Sequence, residues 1–508
     1  MASKDPKRPN VLFILSDDQG AWALGCAGNG EIKTPNLDRL AGNGIRFENF
    51  FCTSPVCSPA RASLMTGDIP SQHGVHDWIR VGSIGDNRVD YLVGQTLITD
   101  VLADNDYRCG LVGKWHLGAS DVPRPNFVKW FAHQSGMGPY YGAPMIDHDR
   151  PVVIEQYLSD ALADSAVAFV RDEVAQPVPF WLYLTFTAPH YPWIDSHPRD
   201  FTDLYEDCAF ESCPEEEPHP WFAGGKPSIE RGRDERRQSL IGYFAAVSAM
   251  DAAIGRVLNE LDRQGLTEST LVVFMSDNGM NCGHHGIWGK GNGTRPQNMY
   301  DTSVKVPCIM SQPGRIPKGQ ISRDLLSGYD VFPTMVDYLG VSYTPSRRMP
   351  GSSFKRVLEG QAGNPDRGVV VYDEYGPVRM VRTSEWKYVH RYPDGPHELF
   401  HLTEDPDERT NLIDVPFAAA MVKTLRSRLE GWFKVYVDPV RDGIDKGVTG
   451  CGQLGKVECG NANRPVFADQ HLVGADWDLW LAPIDGRTSA LNGMAVKGSV
   501  SPGARAGS

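Results

Sequence analysis

Five short apolar runs constrain the fold of this chain more than any other feature. "VLFIL" (11–15), "CGLVG" (109–113), "PFWLYLTF" (179–186), "TLVVFMS" (270–276) and "VPCIM" (306–310) read as strands buried on both faces, and helical stretches separate them. Strands alternating with helices predict an α/β fold with a large, mostly parallel central sheet flanked by helices. The 508 residues, 41% hydrophobic and 22% charged, suffice for one large domain and a smaller one.

In such sheets ligands bind beyond the carboxyl ends of the strands, so the residues after each run are the first candidates for chemistry. Ser16-Asp17-Asp18-Gln19 follows the first run, Gly113-Lys114-Trp115-His116 the second, Thr187-Ala188-Pro189-His190 the third and Ser276-Asp277-Asn278-Gly279 the fourth. Asp17 with Asp18, and Asp277 with Asn278, are all-oxygen donor pairs that suit a hard divalent cation. Either pair alone is more often a helix cap or a turn; together they favour a metal site. Lys114 and His116 are two residues apart, so an extended backbone directs both to one face, where they can meet the same anion. His190 and Lys290, in "HHGIWGKGNGT", carry weaker signals of their own.

From about residue 366 the pattern changes to "GVVVYDEY", "VRMVRTS", "WKYVHRYP" and "HELFHLTEDPDE", which predict consecutive antiparallel strands followed by an amphipathic helix near 415–435. The expected organisation is a catalytic domain over 1–365, a C-terminal α+β subdomain over 366–440 and a glycine-rich extension over 441–508, its last stretch mobile or draped over the surface. The formal charge of −13 argues against nucleic acid or anionic membrane as partners without excluding a local basic pocket. "MASKDPKRPN" leads into an apolar run too short for a signal sequence, so the expected location is cytoplasmic, or periplasmic or secreted if a leader has been removed. Ten cysteines without C-x-x-C spacing signal neither a zinc ribbon nor a dense disulfide framework. Cys208 with Cys213, and Cys451 with Cys459, are close enough in sequence to pair in an oxidising compartment.

Cys57, in "CTSPVCSPARASLMTG", sits beside Pro59 and Arg61. Its residue type alone leaves a catalytic thiol, a metal ligand, a disulfide half, a site of covalent maturation and an inert buried thiol all open.

Cys57-Ser58-Pro59-Ala60-Arg61 and the tail Ala62 to Gly67 resemble the C-x-P-x-R signature of the type I, formylglycine-dependent sulfatases of the alkaline phosphatase superfamily. "PNVLFILSDDQG", "TPNLDRLAGNGIRFENFF", "GKWHLG", "TAPHYPW", "SDNG", "WGKGNGTRPQNMYDTSVKVPCIM" and "GYDVFPTMVDYLG" resemble further family segments in the family's order, as does the C-terminal stretch "WKYVHRYP…HELFHLTEDPDERTNL". Two departures stand out. Asp106-Tyr107-Arg108-Cys109 replaces the usual Gly-Tyr-x-Thr, and Lys290 lies in a longer glycine-rich approach, with Lys305 as the fallback.

The resemblance implies an alkaline-phosphatase-like fold and a sulfuric ester hydrolase in which Cys57 is oxidised to Cα-formylglycine. It implies that Asp17, Asp18, Asp277 and Asn278, with the modified Cys57, bind calcium, magnesium being the alternative. It casts Asp277 as base, Arg61 as the group holding the nucleophile, Lys114 and Lys290 as stabilisers of sulfate charge, His190 as acid toward the leaving alcohol and His116 as assistant in product release. The expected partners are a formylglycine-generating maturation enzyme and a small sulfated mono- or oligosaccharide. Asp77, Trp78 and Arg80, in "SQHGVHDWIRVG", are candidates for the pocket mouth, since tryptophan stacks on sugar rings and arginine pairs with anions. A phosphonate monoester or phosphodiester hydrolase with the same groups is the rival expectation.

Overall fold

The computed structural model describes residues 8–223, 233–363, 371–459 and 465–469. Ten strands form its main sheet: β1 (Asn10–Ser16), β2 (Ile45–Phe47), β3 (Arg108–Lys114), β4 (Phe127–His133), β5 (Ala143–Asp147), β6 (Arg150–Ile154), β7 (Phe180–Thr185), β8 (Thr270–Ser276), β9 (Cys308–Ser311) and β10 (Gln320–Ser322). Their spatial order is β10-β2-β9-β8-β1-β7-β3-β4-β5-β6. The inner five, β8-β1-β7-β3-β4, are parallel, whereas β9 and the β4-β5-β6 edge run antiparallel to their neighbours. The fifth apolar run is therefore a strand whose carboxyl end points away from the other four, and it contributes nothing to their common edge.

Alternation along the inner strands divides the core. Val11, Phe13 and Leu15 of β1, with Leu111, Trp181, Tyr183, Val273 and Met275, face a layer containing Leu64, Leu102, Phe332 and Met335. Leu12 and Ile14, with Val112, Leu182, Leu184 and Phe274, face the other way, onto Leu162, Ala166, Phe169, Met250, Ile254 and Val257. The second layer is made by two helices, α2 (Leu158–Glu173) and α3 (Arg236–Arg263). By length and composition α3 could cross a membrane, but 83% of its apolar window is buried in the fold, as in the core helix of a globular domain.

A four-stranded antiparallel sheet follows, β11 (Val371–Tyr375), β12 (Val378–Arg382), β13 (Trp386–Arg391) and β14 (Glu398–His401), paired in sequence order. Helix α4 (Ala419–Tyr436) covers one face, packing Leu425, Leu429 and Phe433 against Val381, Tyr388 and Leu399. The opposite face places Val378, Met380 and Val389 in the main core. The expected 365/366 boundary lies outside the described residues, as does the tail from 470 onward. The stretch 448–453, within the glycine-rich extension, forms a strap over the 74–80 loop. Val448, Cys451 and Gln453 are buried, because the segment pairs with Trp78–Arg80 instead of facing water.

Cys208 and Cys213 are free thiols: Cys208 donates to Glu31, and Cys213 shares a thiol–thiol hydrogen bond with Cys282, which is also free. Cys451 is also free, and the side chain of Cys459 lies outside the described residues. The unusual Asp106-Tyr107 turn is accommodated by a left-handed Asp106 (φ 64°) and a hydrogen bond from the Tyr107 hydroxyl to the Pro9 carbonyl (3.1 Å), remote from Lys114.

Gly113, the penultimate residue of β3, adopts φ 116°, and a Cβ there would lie 1.7 Å from the Thr185 carbonyl oxygen of β7. Gly113→Ala is therefore expected to cost roughly 3 kcal/mol or more, read as a lower urea midpoint. A midpoint unchanged from wild type would show that the two strand ends are not in close register.

Burial also sets an acid limit on stability. It pushes His133 down to about 4 and His197 down to about 3, so both are neutral in the folded state. A histidine whose folded pKa lies below its unfolded value of about 6.5 stabilises fully above that value and progressively less below it, each by up to about 1.4 kcal/mol per pH unit. The urea midpoint should fall between pH 6.5 and 4; a flat profile would contradict the burial of these rings.

Candidate active site

The four inner strand ends place their polar residues side by side. Ser16 and Ser276 are register partners, so Asp17 and Asp277 leave the sheet together, and Gly113 opposite Thr185 brings Lys114 alongside. Asp18 takes a left-handed conformation (φ 63°) that turns the chain back. Its carbonyl accepts from Tyr243 of α3 (3.0 Å), and its amide donates to Asp277 Oδ1 (3.3 Å). The amide of Gln19 donates to Ser276 Oγ (3.0 Å), joining the two turns.

Cys57 begins helix α1 (Cys57–Thr66), all ten residues of which are buried. Val56 before it is extended, Pro59 occupies the first turn where its missing N–H leaves no bond unmade, and Gly67 (φ 72°) ends the helix by donating to the Ser63 carbonyl. Arg61 lies one turn after Cys57, on the same face. Its guanidinium donates from Nε to Asp277 Oδ2 (2.8 Å) and from Nη1 to the Lys114 carbonyl (2.9 Å), with Nη2 3.9 Å from Asp17.

Lys114 pairs with Asp17, and Lys290 pairs with Asp18. Lys290 Nζ also donates to Cys57 Sγ (2.7 Å) and contacts Asn278 Oδ1 (3.5 Å), while Asn278 Nδ2 donates to Asp18 Oδ1 (2.8 Å). Three carboxylates thus meet three cations in a buried site, a pairing that makes so many buried charges tolerable. Lys305 lies elsewhere, beside Asp301 and pairing in backbone with Phe51, so the site lysine is Lys290.

Burial alone would raise Asp18, but Lys290, backed by His190 and Lys114, holds it well below the usual carboxylate range. Burial and the neighbouring Asp17 push Asp277 up to about 6 against the pull of Arg61. Burial pushes the Cys57 thiol up to about 12 despite Lys114 and Lys290, so as a thiol it is not a nucleophile at neutral pH. Burial keeps His116 neutral, with Lys114 adding to the effect. His116 Nε2 donates to the Ile79 carbonyl (3.0 Å), which leaves Nδ1 as the bare nitrogen. His190 Nδ1 donates to the Tyr191 carbonyl (2.7 Å) and Nε2 lies 3.6 Å from Asp18 Oδ2; burial holds its pKa near 4.

Three buried polar atoms here have no hydrogen-bond partner among the described residues: Asp17 Oδ1, Arg61 Nη2 and His116 Nδ1. Orphaned buried groups are rare, and an acceptor, a donor and a second acceptor gathered around Cys57 mark a place built for a ligand. The candidates for the pocket mouth lie differently. The Asp77 carboxylate accepts from the Tyr375 hydroxyl (2.7 Å) and the Gly452 amide (3.0 Å) and is fully buried. Trp78 Nε1 donates to the Gly450 carbonyl (3.3 Å) and Arg80 Nη1 to the Cys451 carbonyl (3.2 Å), so both half-buried side chains sit against the 448–453 segment.

The model of the Sulfatase family matches residues 9–341, a span that contains all of these strand ends. The chain belongs to the sulfatase family. It is a sulfuric ester hydrolase, and the C-terminal model of N-sulphoglucosamine sulphohydrolase matches residues 283–434. This sulfatase is 27% identical to an N-acetylglucosamine-6-O-sulfatase of Bacteroides thetaiotaomicron, covering 86% of the chain and 88% of the relative. It is 28% identical to an ulvan-active sulfatase of Formosa agariphila, with 84% and 81% covered. Among solved structures it resembles a protein in complex with its substrate D-glucosamine-2-N,6-O-disulfate, with a TM-score of 0.72, 25% identity, and 86% and 100% covered.

Sulfatases are in general formylglycine-dependent and metal-binding, and the donor set here fits a hard cation. Carboxylate oxygens of Asp17, Asp18 and Asp277 lie within 4.8 Å of one another, and Asp17 Oδ1 has no other partner. The ammonium of Lys290 touches Asp18, Asn278 and Cys57, three of the groups the sequence assigns to the metal, so a positive charge is already accommodated among them. Asp17→Ala and Asp18→Ala should each lower bound calcium or magnesium, measured by elemental analysis after gel filtration, at least about tenfold. Full retention by both variants would remove these residues from the metal site.

Proposed function

We propose that this sulfatase hydrolyses the sulfate ester of a small saccharide, using Cys57 after its oxidation to formylglycine. The observation that carries the reading is the gathering of Cys57 with Arg61, Lys114, Lys290 and three acids at one buried edge. A divalent cation, calcium on the family pattern, would be held by Asp17, Asp18, Asp277 and Asn278 and would supply Lewis-acid polarisation of a sulfate oxygen. The formylglycine hydrate that Cys57 would give has two hydroxyls, and would supply one as nucleophile and the other for release of sulfate. A serine at the same place would supply only the first.

The residues of the chain divide the remaining work. Asp277, raised to about 6, is charged at neutral pH and accepts a proton at the attacking oxygen. Arg61 is fixed by Asp277 and the Lys114 carbonyl, so Nη2 is the donor available to the nucleophilic oxygen. Lys114 and Lys290 hold positive charge where sulfate oxygens become more negative. Burial opposes the charge on Lys290, but Asp18 and the surrounding acids hold its pKa well above the usual value, so it carries a proton at neutral pH. His190 keeps its hydrogen on the Tyr191 carbonyl at neutral pH, so its Nε2, beside Asp18, serves as acid toward the leaving alcohol only after it has taken up a proton. His116 Nδ1, neutral and unpartnered, accepts a proton as sulfate departs. The saccharide assignment is supported by the relatives' sulfated-sugar substrates.

The test is kcat/KM on a matched aryl sulfate and aryl phosphonate monoester, with Cys57 conversion verified by peptide mass. The sulfate is expected to be preferred, and Lys114→Ala to lower its turnover about 10²–10³-fold. A phosphonate preference would overturn the substrate class and leave the buried charge arrangement standing. Sulfate release from sulfated monosaccharides, absent from long sulfated polymers, is the expected second result.

A further inference from the structure

The segment 448–453 lies beyond both family matches, which end at 341 and 434, yet it makes backbone contacts to the loop that touches the nucleophile helix. Gln453 is the centre of these contacts and is fully buried. Its Oε1 accepts from the amides of His76 (2.8 Å) and Asp77 (3.4 Å), and its Nε2 donates to the carbonyls of Gly74 (3.0 Å) and Gly455 (2.9 Å). Its own backbone donates to the Trp78 carbonyl (2.7 Å) and accepts from the Arg80 amide (3.0 Å), a parallel bridge opposite Ile79.

Ile79 is left with both polar groups pointing the other way, into the site. Its amide donates to nothing in the strap; it takes Ser58 Oγ (3.0 Å), next to Cys57, and its carbonyl accepts from His116 Nε2 (3.0 Å). The carbonyl contact decides which imidazole nitrogen is bare. A buried amide side chain therefore fixes one short strand, and that strand fixes the start of α1 and the tautomer of His116.

We infer that Gln453 is a positioning residue for sulfate-ester hydrolysis, acting through Ile79 on His116 and on the Cys57-Ser58 turn. The inference rests on the proposed role of His116. It requires no contact between Gln453 and substrate, so its effect belongs in kcat and not in KM. A displacement of about 1 Å at such a site costs up to about 100-fold in rate.

The test uses Gln453→Met, which keeps the side-chain length without its hydrogen bonds, and Gln453→Ala, in full-length protein with Cys57 conversion verified. Turnover of an aryl sulfate is expected to fall about 10–100-fold with KM within about twofold. Amide exchange of the 74–82 peptide should rise, read by mass spectrometry on the cysteine form, while α1 stays protected. In a His116→Ala background the further loss from Gln453→Met should be smaller than in wild type, because the two residues share the Ile79 link. Additive effects, a change confined to KM, unaltered exchange, or both variants failing to fold would each overturn the inference. Absence of sulfate-ester turnover in converted wild type would instead overturn the proposed function, whatever Gln453 does to exchange.

Discussion

Everything at the sheet edge depends on the burial of Arg61. Its guanidinium has no exposed surface, and it lies between the Asp277 carboxylate of one strand end and the Lys114 carbonyl of another. A buried charge survives only when it is paired and its hydrogen bonds are met, so Arg61 obliges the ends of β8 and β3 to stay where they are. The requirement propagates. Asp17 must face both Arg61 and Lys114, and Asp18, the next residue, must turn through a left-handed conformation to meet Lys290. A site of this kind is weak evidence for stability and strong evidence for function, since apolar residues of the same volume would pack there at less cost.

Much of this was legible in the sequence because local signals and global fold agree. Apolar runs followed at once by Asp-Asp, Asp-Asn, Lys-x-His and Pro-His are short-range patterns, and parallel pairing necessarily brings their carboxyl ends to one edge. The β4-β5-β6 edge was not legible. Val128, Pro151 and Val153 are exposed, so these strands lack the continuous apolar character that marked the inner ones. The antiparallel sense of β9 was equally hidden, because a buried strand of either direction has the same composition.

The 74–80 loop and the strap over it were the least readable parts. Asp77, Trp78 and Arg80 have the residue types of a pocket mouth, yet the Asp77 carboxylate is consumed by Tyr375 and Gly452, and Trp78 and Arg80 hold backbone carbonyls of the strap. Glutamine in a glycine-rich stretch carries no periodic signal, and its partners lie hundreds of residues away. Tyr243 is a similar case: one hydroxyl on a core helix, unremarkable in sequence, holds the Asp18–Gly20 turn from both sides.

The distance between Gln453 and the loop it pins has a consequence for biogenesis. His76 and Gln453 are 377 residues apart, so the loop is made long before its clamp. At synthesis rates of about 5–20 residues per second, the clamp follows by roughly 20–75 s. Throughout that interval the 74–80 loop, which bonds the start of α1 through the Ile79 amide and Ser58 Oγ, lacks its clamp. The bonds that fix the loop beside Cys57 are therefore among the last of the site's contacts that the order of synthesis can supply.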